Sequence, residues 1–249
     1  MKKSWVSGLL LVCLLLAFFL VSACSREEKI EIKEEDGVTV VYNPKKPVPL
    51  RGVPSTLSLK EELVLGKTGN EEAMLLNPRA VEADQTGNIY VLDDKAVQIK
   101  VYDPQGNFIR AIGRRGQGPG EFQSPRSFCL TPQLSLAVCD SLSRQVVIFG
   151  LDGQFIRALP DKTRSFMDVR VNAKGDIIAT QMVVGEEARE ELVWFDSELK
   201  PLLTVASVQM AKYPVFNPFP PYIYFGLTAD GNVLWGVTTD YTFNVVNSE

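Results

Sequence analysis

Asn107-Phe108-Ile109-Arg110-Ala111-Ile112 returns 47 residues later as Gln154-Phe155-Ile156-Arg157-Ala158-Leu159. This echo decides the fold. The same step carries Pro78-Arg79 to Pro125-Arg126, Tyr102 to Phe149 and Gly106 to Gly153, and run backwards it links Ile112-Gly113 to Leu65-Gly66. A period near 45, filled with short apolar runs and turn residues, is the mark of a β-propeller blade. The expected fold class is therefore all-β, a β-propeller with a four-stranded sheet in each blade. The repeat names a fold and leaves the ligand open.

Outward from that stretch, the first full blade is expected to place strands at Ala80–Ala83, Asn88–Leu92, Gln98–Tyr102 and Phe108–Ile112. Asp84-Gln85-Thr86-Gly87 and Asp103-Pro104-Gln105-Gly106 supply turns between them. The second blade copies this from Ser127 to Leu159, with Pro132 and Gln133 in its first turn. The third is looser: Val169–Val171, Asp176–Thr180, Val193–Phe195 and Leu202–Val205, with an acidic insertion, Gly185–Glu191, lengthening the loop between its second and third strands. The fourth runs from Tyr222–Leu227 through the turn Ala229-Asp230-Gly231-Asn232 to Val233–Gly236 and Phe243–Val246. Leu57–Leu65 matches an outer strand with no blade before it. From Leu57 to Glu249 is 193 residues, about four steps of the repeat, whereas six blades of ~45 residues need about 270. Two readings follow. The leading strand completes the fourth blade and closes a four-bladed ring, or it belongs to a sixth blade outside this chain. The second is preferred.

The amino terminus reads as a targeting segment. Lys2-Lys3 precedes an uncharged apolar run from Ser4 to Val21, and Val21-Ser22-Ala23-Cys24 resembles a bacterial lipobox. On this reading residues 1–23 are a lipoprotein signal peptide and Cys24 receives diacylglycerol. The competing reading is a transmembrane anchor, since the run is about long enough to span a bilayer; the small residues before the Cys favour lipidation. Residues 24–56 form a tether and extended lead, acidic at first. Val38–Tyr42 could add a strand, and Asn43-Pro44-Lys45-Lys46-Pro47-Val48-Pro49 is stiff. Residues 57–249 form the propeller. The chain has 26 basic and 30 acidic residues, and losing Lys2 and Lys3 leaves a side-chain charge of −6. That balance argues against a sequence-blind nucleic-acid binder. The expected membrane contact is the acyl anchor, at about 0.8 kcal/mol per buried methylene.

No histidine is present, which removes Ser-His-Asp and Cys-His nucleophile systems and the commonest zinc ligand. Gly113–Phe122 is glycine-rich but lacks a terminal Gly-Lys-Ser/Thr and leads into a strand, so it reads as a blade-to-blade linker rather than a phosphate cradle. In the expected hairpin register Cys129 faces Leu136 and Cys139 faces Arg126. At ~3.4 Å per residue their Cα atoms lie about 10 Å apart, beyond the ~7 Å a disulfide tolerates. Both read as small buried apolar residues. Arg79 and Arg126 start innermost strands at equivalent positions. Strand alternation places Asp93, Asp94, Lys95, Asp140, Ser141, Arg144, Arg114 and Arg115 at the same rim. Arg79 and Arg126, with Asp93, Asp94, Asp140 and Arg144 around them, are thus candidate ligand-binding residues, two guanidiniums being able to grip a carboxylate or sulfate bidentately. The competing arrangement, and the favoured one, is an Arg–Asp network, Arg79 with Asp93 or Asp94 and Arg126 with Asp140. The aspartates also suit turn caps. No cofactor is expected, although a calcium site of Asp and Asn oxygens stays open. Tyr222-Ile223-Tyr224-Phe225 is expected to fill core, with stacking on a sugar as the alternative.

Gly87-Asn88-Ile89-Tyr90-Val91-Leu92-Asp93, Val101-Tyr102-Asp103, Gly106-Asn107-Phe108 and Gly116-Gln117-Gly118-Pro119-Gly120-Glu121-Phe122 followed by Pro125 resemble NHL-type propellers. With the lipobox and the Asn-Pro-Lys-Lys-Pro lead, the chain looks like the six-bladed β-propeller lipoproteins of Bacteroidetes. The resemblance implies a six-bladed ring, a cell-envelope location and no agreed activity. Ser25-Arg26-Glu27-Glu28 similarly resembles the surface-export signal of such lipoproteins, with a plain solvated tether as the alternative. The expected function is a lipid-anchored envelope module, at the outer membrane or cell surface, that binds or scaffolds a glycan, peptide or partner protein. The alternatives are a metal-dependent hydrolase or lyase completed by blades beyond this chain, and a partial product without function.

Overall fold

The computed structural model describes residues 31–35, 38–42, 58–66, 69–184, 188–210, 221–240 and 242–247. The signal peptide, Cys24, Asn43–Pro49 and Pro218 and Pro220 lie outside the described residues. Every regular element among the described residues is a β-strand, as the repeat demands. The chain divides into two units, Met1–Lys60 and Glu61–Glu249.

In the first unit, β1 (Glu31–Glu35) pairs antiparallel with β2 (Val38–Tyr42). The sequence placed the acidic residues of β1 in a tether. They form a strand because Val38–Tyr42 offers a β-branched partner, and Lys33 covers both Glu31 (2.9 Å) and the Tyr42 ring (4.9 Å to its centroid).

Among the described residues of the second unit the repeat becomes three four-stranded sheets and one of three strands. Blade 1 is β3 (Pro78–Ala83), β4 (Ile89–Asp93), β5 (Gln98–Tyr102) and β6 (Phe108–Ile112). Blade 2 is β7 (Pro125–Leu130), β8 (Ser135–Asp140), β9 (Gln145–Gly150) and β10 (Phe155–Pro160). Blade 3 is β11 (Ser165–Val171), β12 (Ile177–Val183), β13 (Arg189–Phe195) and β14 (Pro201–Gln209). Blade 4 is β15 (Ile223–Leu227), β16 (Val233–Val237) and β17 (Asn244–Val246). Each sheet is an antiparallel meander.

Three buried clusters fill the three gaps between neighbouring blades. Tyr90, Leu92, Ile99 and Ile112 of blade 1 meet Phe128, Leu136, Val138 and Phe149 of blade 2. The other face of blade 2 (Cys129, Ala137, Cys139, Val146) meets Phe166, Val169, Ala179 and Phe195 of blade 3. Ile178, Leu192 and Trp194 meet Ile223 and Val233. A central strand buried on both faces shows no alternation, which is why β8 reads as a continuous apolar run.

Several sequence expectations are corrected. Arg189–Glu191, assigned to a loop, belong to β13 and pair with β12 from Gln181 to Val183. Their ladder is held by Gln181, which donates to Glu191 (2.9 Å), and by the Arg189–Glu191 ion pair. Residues 58–65 form no strand. A strand needs a ladder, and β17 has β16 as its single sheet partner among the described residues, so the closing pair of a four-bladed ring is not made. Leu63 and Leu65 nevertheless lie against Gly106 as Arg110 and Ile112 lie against Gly153, one repeat apart. Finally, β7 carries a bulge between Pro125 and Ser127, so Cys129 sits opposite Ala137 and Cys139 opposite Ser127, one residue from the expected register. Both thiols are buried and free, as expected.

Candidate functional site

The two ends of the innermost strands present different chemistry. At their starts, β3, β7 and β11 share one irregularity. The register shifts between Pro78 and Ala80, between Pro125 and Ser127, and between Phe166 and Asp168. The extra residue in each bulge is Arg79, Arg126 or Met167. A bulge frees its residue from the pleat and re-aims the side chain. Arg79 donates through Nε to the backbone carbonyl of Arg126 (2.9 Å), and Arg126 donates through Nε to Ser141 Oγ (3.2 Å). Among the described residues neither guanidinium forms an ion pair.

The expected Arg–Asp network is therefore absent, and the reason is local. Asp93 and Asp140 are fully buried. Asp93 accepts the amides of Leu76 (2.7 Å), Asn77 (3.1 Å) and Ala96 (3.1 Å). Asp140 accepts those of Gln123 (2.7 Å) and Ser124 (2.7 Å), a longer contact from Ser143 (3.4 Å), and the Ser143 hydroxyl (2.8 Å). Each carboxylate thus clamps the incoming linker to the loop after the second strand, and the clamps are one repeat apart. Their oxygens are engaged internally, so these two aspartates support the rim from below rather than facing a ligand. Asp94 is half-buried and Lys95 exposed. Arg144 has left-handed backbone (φ 53°), as does Val97 one repeat earlier (φ 59°), and donates to Lys162 O (2.7 Å). Arg114 is taken by Glu121 (2.8 Å).

At the opposite end lies a cleft of about 710 Å³, walled by the ends of β3, β7, β11 and β15 and the turns that follow them. Polar contacts in its wall and just behind it span three blades. Glu82 accepts the Leu130 amide (2.7 Å). Arg170 donates to Asp168 (2.8 Å) and to Val169 O (2.6 Å), and Asp168 accepts the Ser127 hydroxyl (2.5 Å). Burial pushes the Glu82 carboxyl up, against the Leu130 amide and the charge of Arg170, which pull it down. This end of the blades was not foreseen from the sequence. The one available signal was Leu134, standing where Gly87, Gly175 and Gly231 stand in the sister turns. All four have left-handed backbone, with φ of 85°, 56°, 89° and 81° in chain order. Among the described residues no three Cys, Asp or Glu side chains group as a metal site requires. Tyr222-Ile223-Tyr224-Phe225 divides: Ile223 and Phe225 pack against blade 3, while Tyr222 and Tyr224 are exposed.

With this geometry in hand, comparison with known proteins is informative about fold. Residues 68–173 match the sequence model of a family described as a 6-bladed beta-propeller. A protein of Bacteroides fragilis described as exported superposes with a TM-score of 0.55 at 20% identity, over 76% of this chain and 53% of that one. A protein of unknown function from Bacteroides caccae gives a TM-score of 0.43 at 16% identity, over 69% and 57%. A catalytically inactive virginiamycin B lyase of Staphylococcus aureus, with quinupristin, gives 0.45 at 12%, over 69% and 53%. No curated protein matches. The chain is thus similar to six-bladed β-propellers, as the family resemblance implied, and it spans about half the length of these solved structures.

Proposed function

We propose that this protein is a lipid-anchored module of the cell envelope that binds an anionic group, the carboxylate or sulfate of a glycan, peptide or partner protein, between Arg79 and Arg126. One observation carries the reading. Two bulge arginines of adjacent blades lie side by side, Arg79 Nε on the Arg126 carbonyl, and among the described residues no carboxylate pairs with either. Planar guanidiniums so placed match the two oxygens of a carboxylate or sulfate. The anchor rests on the lipobox-like Val21-Ser22-Ala23-Cys24, and the likeness to an exported Bacteroides protein supports an envelope location.

Sulfate titration of the purified full chain, followed by calorimetry, tests the site. Arg79→Ala and Arg126→Ala should each weaken binding by about tenfold or more, the ~1.4 kcal/mol of one charge-assisted contact. Unchanged affinity in both variants refutes it. For the anchor, Cys24→Ser should move the protein from the membrane to the soluble fraction; a membrane-bound Cys24→Ser variant refutes lipidation.

A further inference from the structure

The cleft at the turn end is chemically unlike the arginine rim. Its acidic lining is Glu82, Asp84 and Asp230, and its basic lining is Arg170. Arg170 is already committed, its Nη1 held between Asp168 Oδ1 and Val169 O. Glu82 has no such partner. Its Oε2 takes the Leu130 amide, and among the described residues it forms no ion pair. Asp84 is held ionised by its own turn: Thr86 and Asn88 donate to it, and although burial works the other way its pKa falls to about 2. Asp230 is exposed at the lip.

The apolar half of the lining is as specific. Leu134 occupies the left-handed position filled by glycine in the three sister turns, and the residue is 66% exposed. A large apolar residue there costs about 1 kcal/mol in backbone strain relative to glycine and gains little burial, being mostly exposed. Pro132, Leu151 and Leu227 continue the apolar surface. The volume is within the ~300–1,000 Å³ of small-molecule sites.

We infer that this cleft is a second binding site, for a small organic cation: an ammonium or guanidinium group carried on an apolar body, with Glu82 as its counter-ion and Leu134 against its hydrocarbon. The site is separate from the arginine rim and does not depend on it. Phenethylammonium and phenylacetate share one apolar body and differ in the sign of charge, which makes them the probes. Titrated into the full chain, phenethylammonium should bind and phenylacetate should not. Glu82→Gln keeps an acceptor for the Leu130 amide, so its melting temperature should stay at the wild-type value while phenethylammonium affinity falls by about tenfold, as for one lost charge pair. Asp230→Asn, on an exposed turn where folding is not at stake, should weaken binding by about two- to threefold through the lost long-range charge. Arg126→Ala should leave it unchanged. The inference is overturned if neither probe binds, if phenylacetate binds as well as phenethylammonium, or if Glu82→Gln and Asp230→Asn both retain full affinity.

Discussion

Replacing Asp140 by asparagine tests whether the repeated aspartate is the clamp that fixes each blade to the one before it. In the wild type, Oδ2 accepts the Gln123 amide at 2.7 Å and the Ser143 hydroxyl at 2.8 Å, and Oδ1 accepts the Ser124 amide at 2.7 Å. The carboxylate has no exposure to solvent. Asparagine keeps one acceptor and turns the other into an NH2 donor, which then faces the N–H of Gln123 or of Ser124. One buried amide is left unpaired, at about 1–3 kcal/mol, and the remaining hydrogen bonds lose their charge assistance, about 1 kcal/mol more. We expect Asp140→Asn to lower the unfolding free energy by about 2–4 kcal/mol, a substantial part of the ~5–15 kcal/mol that holds a typical protein. Urea unfolding followed by tryptophan fluorescence reads this directly, since Trp194 and Trp235 lie in the blade 3–blade 4 core. Asp93→Asn should behave alike, because Asp93 holds Leu76 and Asn77 in the same way. Asp94→Asn, one residue on and only half-buried, is the control and should cost under about 0.5 kcal/mol. Should Asp140→Asn and Asp93→Asn both remain within about 0.5 kcal/mol of wild type, the clamp is not what joins the blades.

Three further outcomes follow from the same geometry. A Cβ at Gly113 would lie 2.2 Å from the Phe122 ring and at φ 73°, whereas one at Gly175 would meet nothing within 4 Å at φ 89°. Gly113→Ala should therefore cost well above the ~1 kcal/mol of left-handed strain expected for Gly175→Ala, and equal urea midpoints would contradict this. Burial pushes the Cys129 thiol up to about 12 and raises that of Cys139 as well, so neither should react with a thiol reagent until the protein unfolds. Labelling of Cys129 or Cys139 in the native protein, located by peptide mass spectrometry, would show the core misassigned. Asp84 titrates near 2 instead of 3.8. A depressed carboxylate stabilises the fold fully above its ordinary value and loses that contribution as pH falls toward 2. Between pH 4 and 2 the melting temperature of wild type should thus fall more steeply than that of Asp84→Asn, and parallel profiles would count against the hydrogen-bonded turn.

The fold was legible because a propeller writes its architecture many times. Phe108–Ile112 was expected and found residue for residue, and so was Gln98–Tyr102. Each sits between turns whose Asp and Gly have local, sequence-readable causes: Asp103 accepts the amides of Gln105 and Asn107 in its own turn. What escaped was set by tertiary context. The bulges at Arg79 and Arg126 have no composition signal, since the added residue is an ordinary member of the strand, yet one extra residue moved Cys129 from Leu136 to Ala137. Likewise 58–65 has the sequence of an outer strand, but strand structure belongs to a ladder and not to one segment. Its contacts survive, with Leu63 and Leu65 placed against Gly106, while its hydrogen bonds do not form.

The same distinction explains which site residues could be named in advance. Position along the repeat placed Arg79, Arg126, Asp93 and Asp140 at one end of the blades, and that placement holds because Pro78 pairs with Asp93 and Pro125 with Asp140. Position did not say which oppositely charged groups meet. Proximity favoured Arg–Asp pairing, but an aspartate at the end of a second strand is nearer to the unpaired amides of the linker than to a side chain re-aimed by a bulge. Backbone amides buried beside it have no other acceptor, so they take the carboxylate and leave the guanidiniums with neutral partners only, the Arg126 carbonyl and the Ser141 hydroxyl. The rim arginines owe their availability to the needs of the backbone. Glu82 owes its own to a similar rule: it satisfies an amide on the open edge of β7, and only one of its two oxygens is needed to do so.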